Sequence, residues 1–153
     1  MSVDSLRMLG EDRLEPFWSG LCERTGELSS IRAERPGKKD RIKFDPGIRN
    51  LYFVAGLSES GPWFEIRMRP DFPDAEIILS KQEELSRRAG CVFEPNAGTK
   101  KERSLRAAAQ FDLDDLGVWE HAYAWYEKML KISSMVCVKQ CRRAGILQRM
   151  RDA

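Results

Sequence analysis

Three strand-like segments separated by turns lie between residues 41 and 68 and limit the folds that this chain can adopt. Polar and apolar side chains alternate in residues 41–44 and again in residues 62–68, and residues 50–57 are rich in aromatic and branched side chains. Such alternation is typical of strands that bury one face of a sheet. Because short turns that contain glycine connect the segments, we predict a three-stranded antiparallel meander.

Helical periodicity flanks this predicted meander on both sides. Residues 13–25 place their apolar side chains on one helical stripe, and Gly26 follows as a stop. A packing helix is predicted between Asp74, a candidate N-cap, and Gly90, a candidate C-cap. Residues 118–138 carry a further apolar stripe, which predicts a long closing helix.

One or two further strands, in residues 91–94 and 105–111, complete the predicted fold. We therefore predict the α+β class: an antiparallel sheet with an opening helix, a packing helix and a long closing helix. The chain has 153 residues, 42% of them hydrophobic, which suffices for one hydrophobic core. We predict a single domain over residues 1–138, followed by a basic C-terminal helix or tail over residues 139–153.

The longest apolar stretches are residues 51–57 and 135–138, far short of the roughly 20 residues that a bilayer crossing requires. Residues 1–10 lack the basic start and apolar run of a secretory signal. We therefore expect a cytoplasmic protein with no membrane partner.

Basic residues are concentrated in two segments, although the net charge of the chain is only +2. Such clusters can neutralise phosphates and give salt-sensitive binding with little sequence specificity. Charge that only keeps a loop and a terminal helix soluble explains them equally well. The candidate nucleic-acid-binding residues are Arg32, Arg35, Lys38, Lys39, Arg41 and Lys43 in the first segment, and Lys139, Arg142, Arg143, Arg149 and Arg151 in the second.

Aromatic side chains suggest a different interface, one that contacts protein. Trp63 alternates with Phe64 and shares a strand face with Glu65 and Arg67, so these three residues are the candidate protein-binding site. We expect Trp63 to be exposed on the face that also carries Arg41 and Lys43. The other candidate anchors are Trp119, Trp125 and Tyr126.

Two enzymatic arrangements are conceivable from the residues present, and neither predicts a catalytic residue. Asp45 and Glu65 on adjacent strands could hold Mg²⁺ as in PD-(D/E)XK nucleases, but Arg67 stands where those enzymes have lysine, and an ion pair explains Glu65 and Arg67 better. His121 is the single histidine and could serve as a base for a cysteine nucleophile. Nothing in the spacing selects among the candidates Cys22, Cys91 and Cys137.

Metal and cofactor sites are not predicted either. Cys137 and Cys141 lie four residues apart on a predicted helix, but zinc needs further cysteine or histidine ligands. The four cysteines are interpreted as free thiols. No glycine-rich phosphate-binding loop occurs, so we expect no cofactor.

The order of elements resembles an uncharacterised prokaryotic family known only as a domain of unknown function. The resemblance covers about residues 14–135 and depends on four segments: Phe17-Trp18, Trp63-Phe64-Glu65-Ile66, Lys81-Gln82-Glu83-Glu84-Leu85 and the helix over residues 119–130. Members of that family are often found beside nuclease-like or restriction-related modules. The resemblance therefore implies a role near DNA, defence systems or mobile elements, without defining an activity.

The functional hypothesis is a non-enzymatic binding module of prokaryotic or phage origin that acts in a defence, counter-defence or restriction setting. Its expected partner is nucleic acid or a nucleic-acid effector complex. The first alternative is a protein inhibitor or adaptor that acts only through protein contact. The second is a divalent-metal-dependent nuclease that uses Asp45 and Glu65.

Overall fold

A computed structural model describes residues 11–28, 31–58, 60–95, 102–110 and 116–152, and for residues 11, 12, 116, 117 and 142–152 the description covers the backbone alone. Its helices and strands confirm the predicted α+β class. In chain order they are α1 (Glu11–Thr25), β1 (Arg32–Ala33), β2 (Arg41–Asp45), β3 (Leu51–Ser58), β4 (Gly61–Met68), α2 (Ala75–Leu79), α3 (Gln82–Ala89), β5 (Glu94–Pro95), β6 (Arg103–Ala108) and α4 (Leu116–Asp152).

The strands form one antiparallel sheet in the order β1-β2-β3-β4-β6-β5. The predicted meander is therefore confirmed as β2, β3 and β4, the middle of the sheet. Strand β6 pairs with β4, so it lies on the β4 side of the meander and not on the β2 side. The two outermost strands, β1 and β5, have two residues each.

Alternation along the strands gives the sheet two chemically different faces. The core face is apolar and belongs to the hydrophobic core; its members are Ile42, Phe44, Leu51, Phe53, Ala55, Leu57, Phe64, Ile66, Met68, Leu105 and Ala107. The open face carries the alternate residues of the same strands. Its members are Arg41, Lys43, Tyr52, Val54, Gly56, Trp63, Glu65, Arg67, Ser104 and Arg106.

Helices α1 and α4 join each other and the core face through aromatic side chains. The rings of Phe17 and Trp119 meet edge to face with centroids 5.0 Å apart. The Tyr123 hydroxyl donates to the Phe17 carbonyl at 2.8 Å, and the Trp18 indole N–H donates to the Lys39 carbonyl at 2.8 Å. Because these polar tips find backbone acceptors, the large rings can be buried without leaving unsatisfied donors.

The predicted packing helix is two helices, α2 and α3. The Ser80 hydroxyl donates to the Ile77 carbonyl at 2.6 Å, a local side-chain bond that competes with helix continuation, and the chain turns at Ser80 and Lys81. Asp74 occupies the N-cap position but makes no side-chain cap hydrogen bond. Gly90 does end α3, with the left-handed φ of 70° that favours glycine.

The remaining segments differ from prediction at their ends. The strand predicted over residues 91–94 is reduced to Glu94–Pro95, and Phe93 instead lies in the core. The strand predicted over residues 105–111 spans Arg103–Ala108, and residue 111 lies outside the described residues. Helix α4 continues without a break to Asp152, so the basic segment after residue 138 prolongs the closing helix.

Helix α4 has 37 residues, but its charged residues recur throughout its length. Within the described ranges of the chain, no helix combines the length and the apolar character that crossing a membrane would require.

Gly56 in β3 contacts one large aromatic side chain on each face of the sheet, Trp63 and Tyr126. A Cβ atom at Gly56 would lie 2.1 Å from Cε2 and Cζ2 of Trp63, so the indole covers this residue on the open face. From the opposite side of the sheet, the buried Tyr126 hydroxyl of α4 donates to the Gly56 carbonyl. Gly56 therefore allows close packing of an aromatic ring on the sheet.

Substitution of Gly56 with alanine should destabilise the fold, because the new methyl group cannot coexist with the indole. We expect Gly56→Ala to lower the free energy of unfolding by about 1–3 kcal/mol, the usual cost of overpacking. Urea denaturation followed by tryptophan fluorescence measures this change. Gly37→Ala is the matched control, because a Cβ atom there meets nothing within 4 Å; equal stability of the two variants would contradict this account.

Candidate functional site

A buried carboxylate lies at the centre of the open face. Glu65 occupies a cross-strand row in the order Lys43, Val54, Glu65, Arg106. It is only 1% exposed. Its Oε2 atom accepts from Nε of Arg67 at 2.8 Å, and its Oε1 atom accepts from Nη1 of Arg106 at 3.2 Å. Two guanidinium groups on different strands therefore compensate one carboxylate, which is what burial of a charge requires.

Both arginines also contact the neighbouring tryptophan. Cζ of Arg106 lies 4.4 Å and Cζ of Arg67 lies 5.9 Å from the centroid of the Trp63 ring. The positive charge is attracted to the ring face, and the apolar stems cover part of the indole. The predicted exposure of Trp63 is therefore wrong, because the side chain is 6% exposed between these arginines and Gly56.

The protein-binding role predicted for Trp63, Glu65 and Arg67 stays a prediction, although Trp63 and Glu65 are buried. Glu65 and Arg67 do share a face with Trp63, as predicted, but they form a packed unit rather than a solvated surface. Among the other candidate anchors, Tyr126 is buried in the core, and Trp119 and Trp125 are half-buried against it. None of these aromatic side chains is a protruding anchor.

A second group of cations surrounds Tyr52, the residue opposite Arg67 on β3. Nζ of Lys43 lies 4.5 Å and Cζ of Arg69 lies 5.2 Å from the centroid of its ring. The Tyr52 hydroxyl donates to the Glu102 carboxylate at 3.1 Å and 3.2 Å. Burial and the Glu102 charge raise the pKa of Tyr52 above its ordinary value, although a hydrogen bond from Arg67 opposes them.

Arg67 connects the two aromatic groups. Burial by itself would lower the pKa of the Arg67 guanidinium, but the hydrogen bond and charge of Glu65 outweigh this effect and the pKa is raised. Arg67 also lies opposite Tyr52 in the sheet and interacts with its hydroxyl, so this charged side chain lies between the Trp63 and Tyr52 groups. The open face therefore carries a continuous network of cations, rings and one buried carboxylate.

A pocket of about 430 Å³ opens beside Tyr52, where β2 ends and β3 begins. We call it the Tyr52 pocket; its lining residues are Lys43, Asp45, Gly47, Ile48, Arg49, Asn50, Leu51, Tyr52 and Arg69. The Gly47 N–H donates to Oδ1 of Asp45 at 2.8 Å, which fixes the turn that forms one wall. The Asn50 carbonyl accepts from the Arg69 N–H at 2.8 Å and ties the opposite wall to the turn.

The first predicted basic cluster borders the open face. Arg41 and Lys43 lie on that face, and Arg32 pairs in register with Asp45 at the β1 edge. The other three members are exposed in the connection between β1 and β2; they are Arg35, Lys38 and Lys39.

The second predicted basic cluster belongs to α4. Lys139 is exposed on this helix, which packs with α1 over the core face, so Lys139 and Lys43 lie in different layers of the domain. The described side chains therefore do not place Lys139 in the open-face network. The side chains of Arg142, Arg143, Arg149 and Arg151 lie outside the described residues.

Arg106, Tyr52 and Arg69 are not among the residues predicted for this face from the sequence. Arg106 could have been found, because residues 103–108 alternate and place Ser104 and Arg106 opposite Leu105 and Ala107. Tyr52 lies within the continuous apolar run of residues 51–57, so alternation does not distinguish it from its neighbours. Arg69 follows the end of β4, and no periodic signal indicates that it would turn back to the Tyr52 ring.

The arrangement offers no support for the metal-dependent nuclease alternative. Asp45 lies on β2 and Glu65 on β4, with β3 between them. Both Glu65 oxygens accept from guanidinium groups. Among the residues that the structure describes, no group of three or more His, Cys, Asp and Glu side chains could hold a metal ion.

The cysteines are poor nucleophiles in their surroundings. Burial, and then the Glu34 charge, raise the pKa of Cys22 to about 11. Burial also raises the pKa values of Cys91 and Cys137 above the ordinary value for a thiol. These thiols are neutral near pH 7, where nucleophilic attack requires a thiolate. The candidate base His121 is exposed on α4.

No protein-family model matches the chain, and no curated protein or solved structure matches it either. The resemblance to a prokaryotic family of unknown function therefore stays a prediction. The function has to be inferred from the open face and the Tyr52 pocket.

Removal of the Glu65 charge should destabilise the domain, because Arg67 and Arg106 would lose their shared partner. We expect Glu65→Gln to lower the free energy of unfolding by about 2–4 kcal/mol, somewhat less than for a fully buried pair because both arginines are partly exposed. Chemical denaturation measures the loss.

The control for this variant is Glu94→Gln, which removes the same charge from an exposed position opposite Arg106. It should change stability by no more than about 0.5 kcal/mol. If Glu65→Gln were as stable as the parent protein, the buried ion-pair network would not hold β4 and β6 together.

Proposed function

We propose that the domain is a non-enzymatic binding module that takes single-stranded nucleic acid across its open face. The observation that carries this proposal is the alignment of four cation and ring contacts on that face and its border. Lys43 and Arg69 lie over Tyr52, and Arg67 and Arg106 lie over Trp63. Positive charge is therefore held in fixed positions along one side of the sheet.

Fixed cations bind a polyanion more tightly than freely rotating ones. A lysine or arginine side chain loses rotamer freedom when it meets a phosphate, at a cost of about 0.5–1.5 kcal/mol. Contact with a ring has already restricted Lys43, Arg69, Arg67 and Arg106 in the free protein. Much of this ordering cost has therefore been met before the ligand arrives.

Four cations on or beside this face form no ion pair with a carboxylate among the described residues; they are Arg32, Lys43, Arg49 and Arg69. Two further cations, Arg67 and Arg106, share the buried carboxylate of Glu65. Arg41 also lies on the face. Phosphates that contact these cations would release counterions, and this release is the main source of affinity for nucleic acid.

The same geometry favours weak sequence preference. Trp63 is too well covered to stack on a base while the two arginines lie over it. The guanidinium planes of Arg67 and Arg106 remain as stacking surfaces, and guanidinium groups stack on bases without regard to base identity. A sheet six strands wide spans about 24 Å, which is enough for several nucleotides of a single strand.

The proposed setting follows from the resemblance alone. A prokaryotic or phage protein in a defence, counter-defence or restriction system would meet single-stranded nucleic acid, or an effector complex that holds it, in the cytoplasm. Nothing about the open face requires that setting, and the binding proposal can be tested without it.

Binding should be salt-dependent and should depend on the open face. We expect labelled single-stranded DNA or RNA to bind with a slope of log K against log salt of about −0.7 for each neutralised phosphate. Lys43→Ala should weaken binding and make the slope less steep by about 0.7. Fluorescence anisotropy over a salt series measures both quantities, and a label at the 3′ end leaves the 5′ end free.

The matched control for this experiment is Arg87→Ala, which removes one exposed positive charge from α3 on the helical side of the domain. Its affinity and slope should equal those of the parent protein. Absence of binding at low salt would overturn the proposal and leave protein contact as the leading alternative. Equal effects of the two variants would move the binding site away from the open face.

A further inference from the structure

We propose that the Tyr52 pocket is a phosphate-monoester site. The ligand chemistry is a terminal phosphate joined to a sugar or base, supplied either by the phosphorylated end of a bound strand or by a free nucleoside monophosphate. The assignment to a strand end rests on the proposed function, whereas the preference for a monoester rests on the pocket itself.

The Tyr52 pocket is a concavity on the open side of the domain; a second, lined by Arg106 and Glu94 among others, lies at the β5 edge. The Tyr52 pocket has a volume of about 430 Å³, within the range of small-molecule sites, about 300–1,000 Å³. It lies at the border of the sheet, where β2 ends at Asp45, β3 begins at Leu51 and Arg69 follows β4. A single-stranded nucleic acid that crosses the open face would have one of its ends at this border of the sheet.

Three cations converge on the pocket: Lys43, Arg49 and Arg69. None of the three forms an ion pair with a carboxylate in the part of the chain that the structure describes. By contrast, Arg67 and Arg106 on the same face are both paired with Glu65. Among the described residues, the positive charge of the pocket is therefore not neutralised by direct ion pairs.

The lining residues include a single carboxylate, that of Asp45. Its Oδ1 atom already accepts the Gly47 N–H, so the carboxylate has a structural role in the turn. Three cations and one anion leave a net charge of +2 in the pocket. A phosphate monoester carries about −1.5 to −2 near pH 7, whereas an internal phosphodiester carries only −1. The charge of the pocket therefore matches a monoester better than an internal phosphate.

The walls of the pocket suit a phosphate that is attached to an organic group. Ile48, Leu51 and the Tyr52 ring provide apolar surface beside the cations. The Tyr52 ring also sets the positions of the Lys43 ammonium and the Arg69 guanidinium. The backbone hydrogen bond between Arg69 and Asn50 holds the base of the Arg69 side chain in place, so the site is largely preformed.

The test compares two oligonucleotides of one sequence, labelled at the 3′ end, with either a phosphate or a hydroxyl group at the 5′ end. We expect the phosphorylated strand to bind about tenfold more tightly at pH 7.5, equivalent to about 1.4 kcal/mol. The advantage should shrink at pH 5, because the second pKa of the monoester is about 6 and the phosphate becomes a monoanion. Arg49→Ala should abolish the advantage, and Arg87→Ala should preserve it.

A second titration uses a nucleoside 5′-monophosphate and the corresponding nucleoside, followed by NMR or calorimetry. If the monophosphate but not the nucleoside binds, and binding requires Arg49, the pocket is supported as a monoester site. This holds even if no oligonucleotide binds; in that case the proposed function fails and this inference stands. Equal affinity for the two oligonucleotides, together with no monophosphate binding, would overturn the inference and leave the proposed function standing.

Discussion

The burial of the Glu65 carboxylate is the interaction on which the open face depends. A carboxylate that is 1% exposed stays charged only if cations replace the water it has lost, and Arg67 and Arg106 do so from β4 and β6. The same two guanidinium groups lie over the Trp63 ring. One buried charge therefore fixes two cations, covers an indole and joins two strands that are 41 residues apart at the contact.

This network also relates the open face to the core. Trp63 lies flat on Gly56, and the carbonyl of that glycine accepts the buried hydroxyl of Tyr126 from α4. Through Gly56, the Trp63 indole on the open face is therefore linked to α4 in the helical layer. The open face is polar in composition but rigid in construction, which is the combination that a preorganised charged surface requires.

Local periodicity predicted a large part of this architecture. Alternation over residues 41–44 and 62–68 identified β2 and β4, and aromatic and branched side chains over residues 50–57 identified β3. The alternation also placed Arg41, Lys43, Trp63, Glu65 and Arg67 on one face. The helix stripes and the Gly90 C-cap were equally local signals. The break at Ser80 was missed because a single hydroxyl that bonds its own helix leaves no mark in the apolar period.

The error in the candidate site came from long-range contacts. Trp63 alternates with core residues and should face solvent, but its cover comes from Arg106, which joins β4 only when β6 pairs with it. The Tyr52 pocket likewise depends on Arg69 and Asn50, which meet through a backbone hydrogen bond where β4 ends and β3 begins. The sequence predicted which residues share the open face. The burial of Trp63 and the approach of Arg69 to Tyr52 could be seen only in the tertiary structure.

We propose that the open face, rather than the helical layer, meets the ligand. Heteronuclear NMR of the labelled protein during titration with a single-stranded oligonucleotide tests it most directly. The account predicts that chemical-shift changes concentrate at Lys43, Tyr52 and the Trp63 indole N–H, with little change along α3. Changes confined to α1, α3 and α4, or none at saturating oligonucleotide, would contradict it.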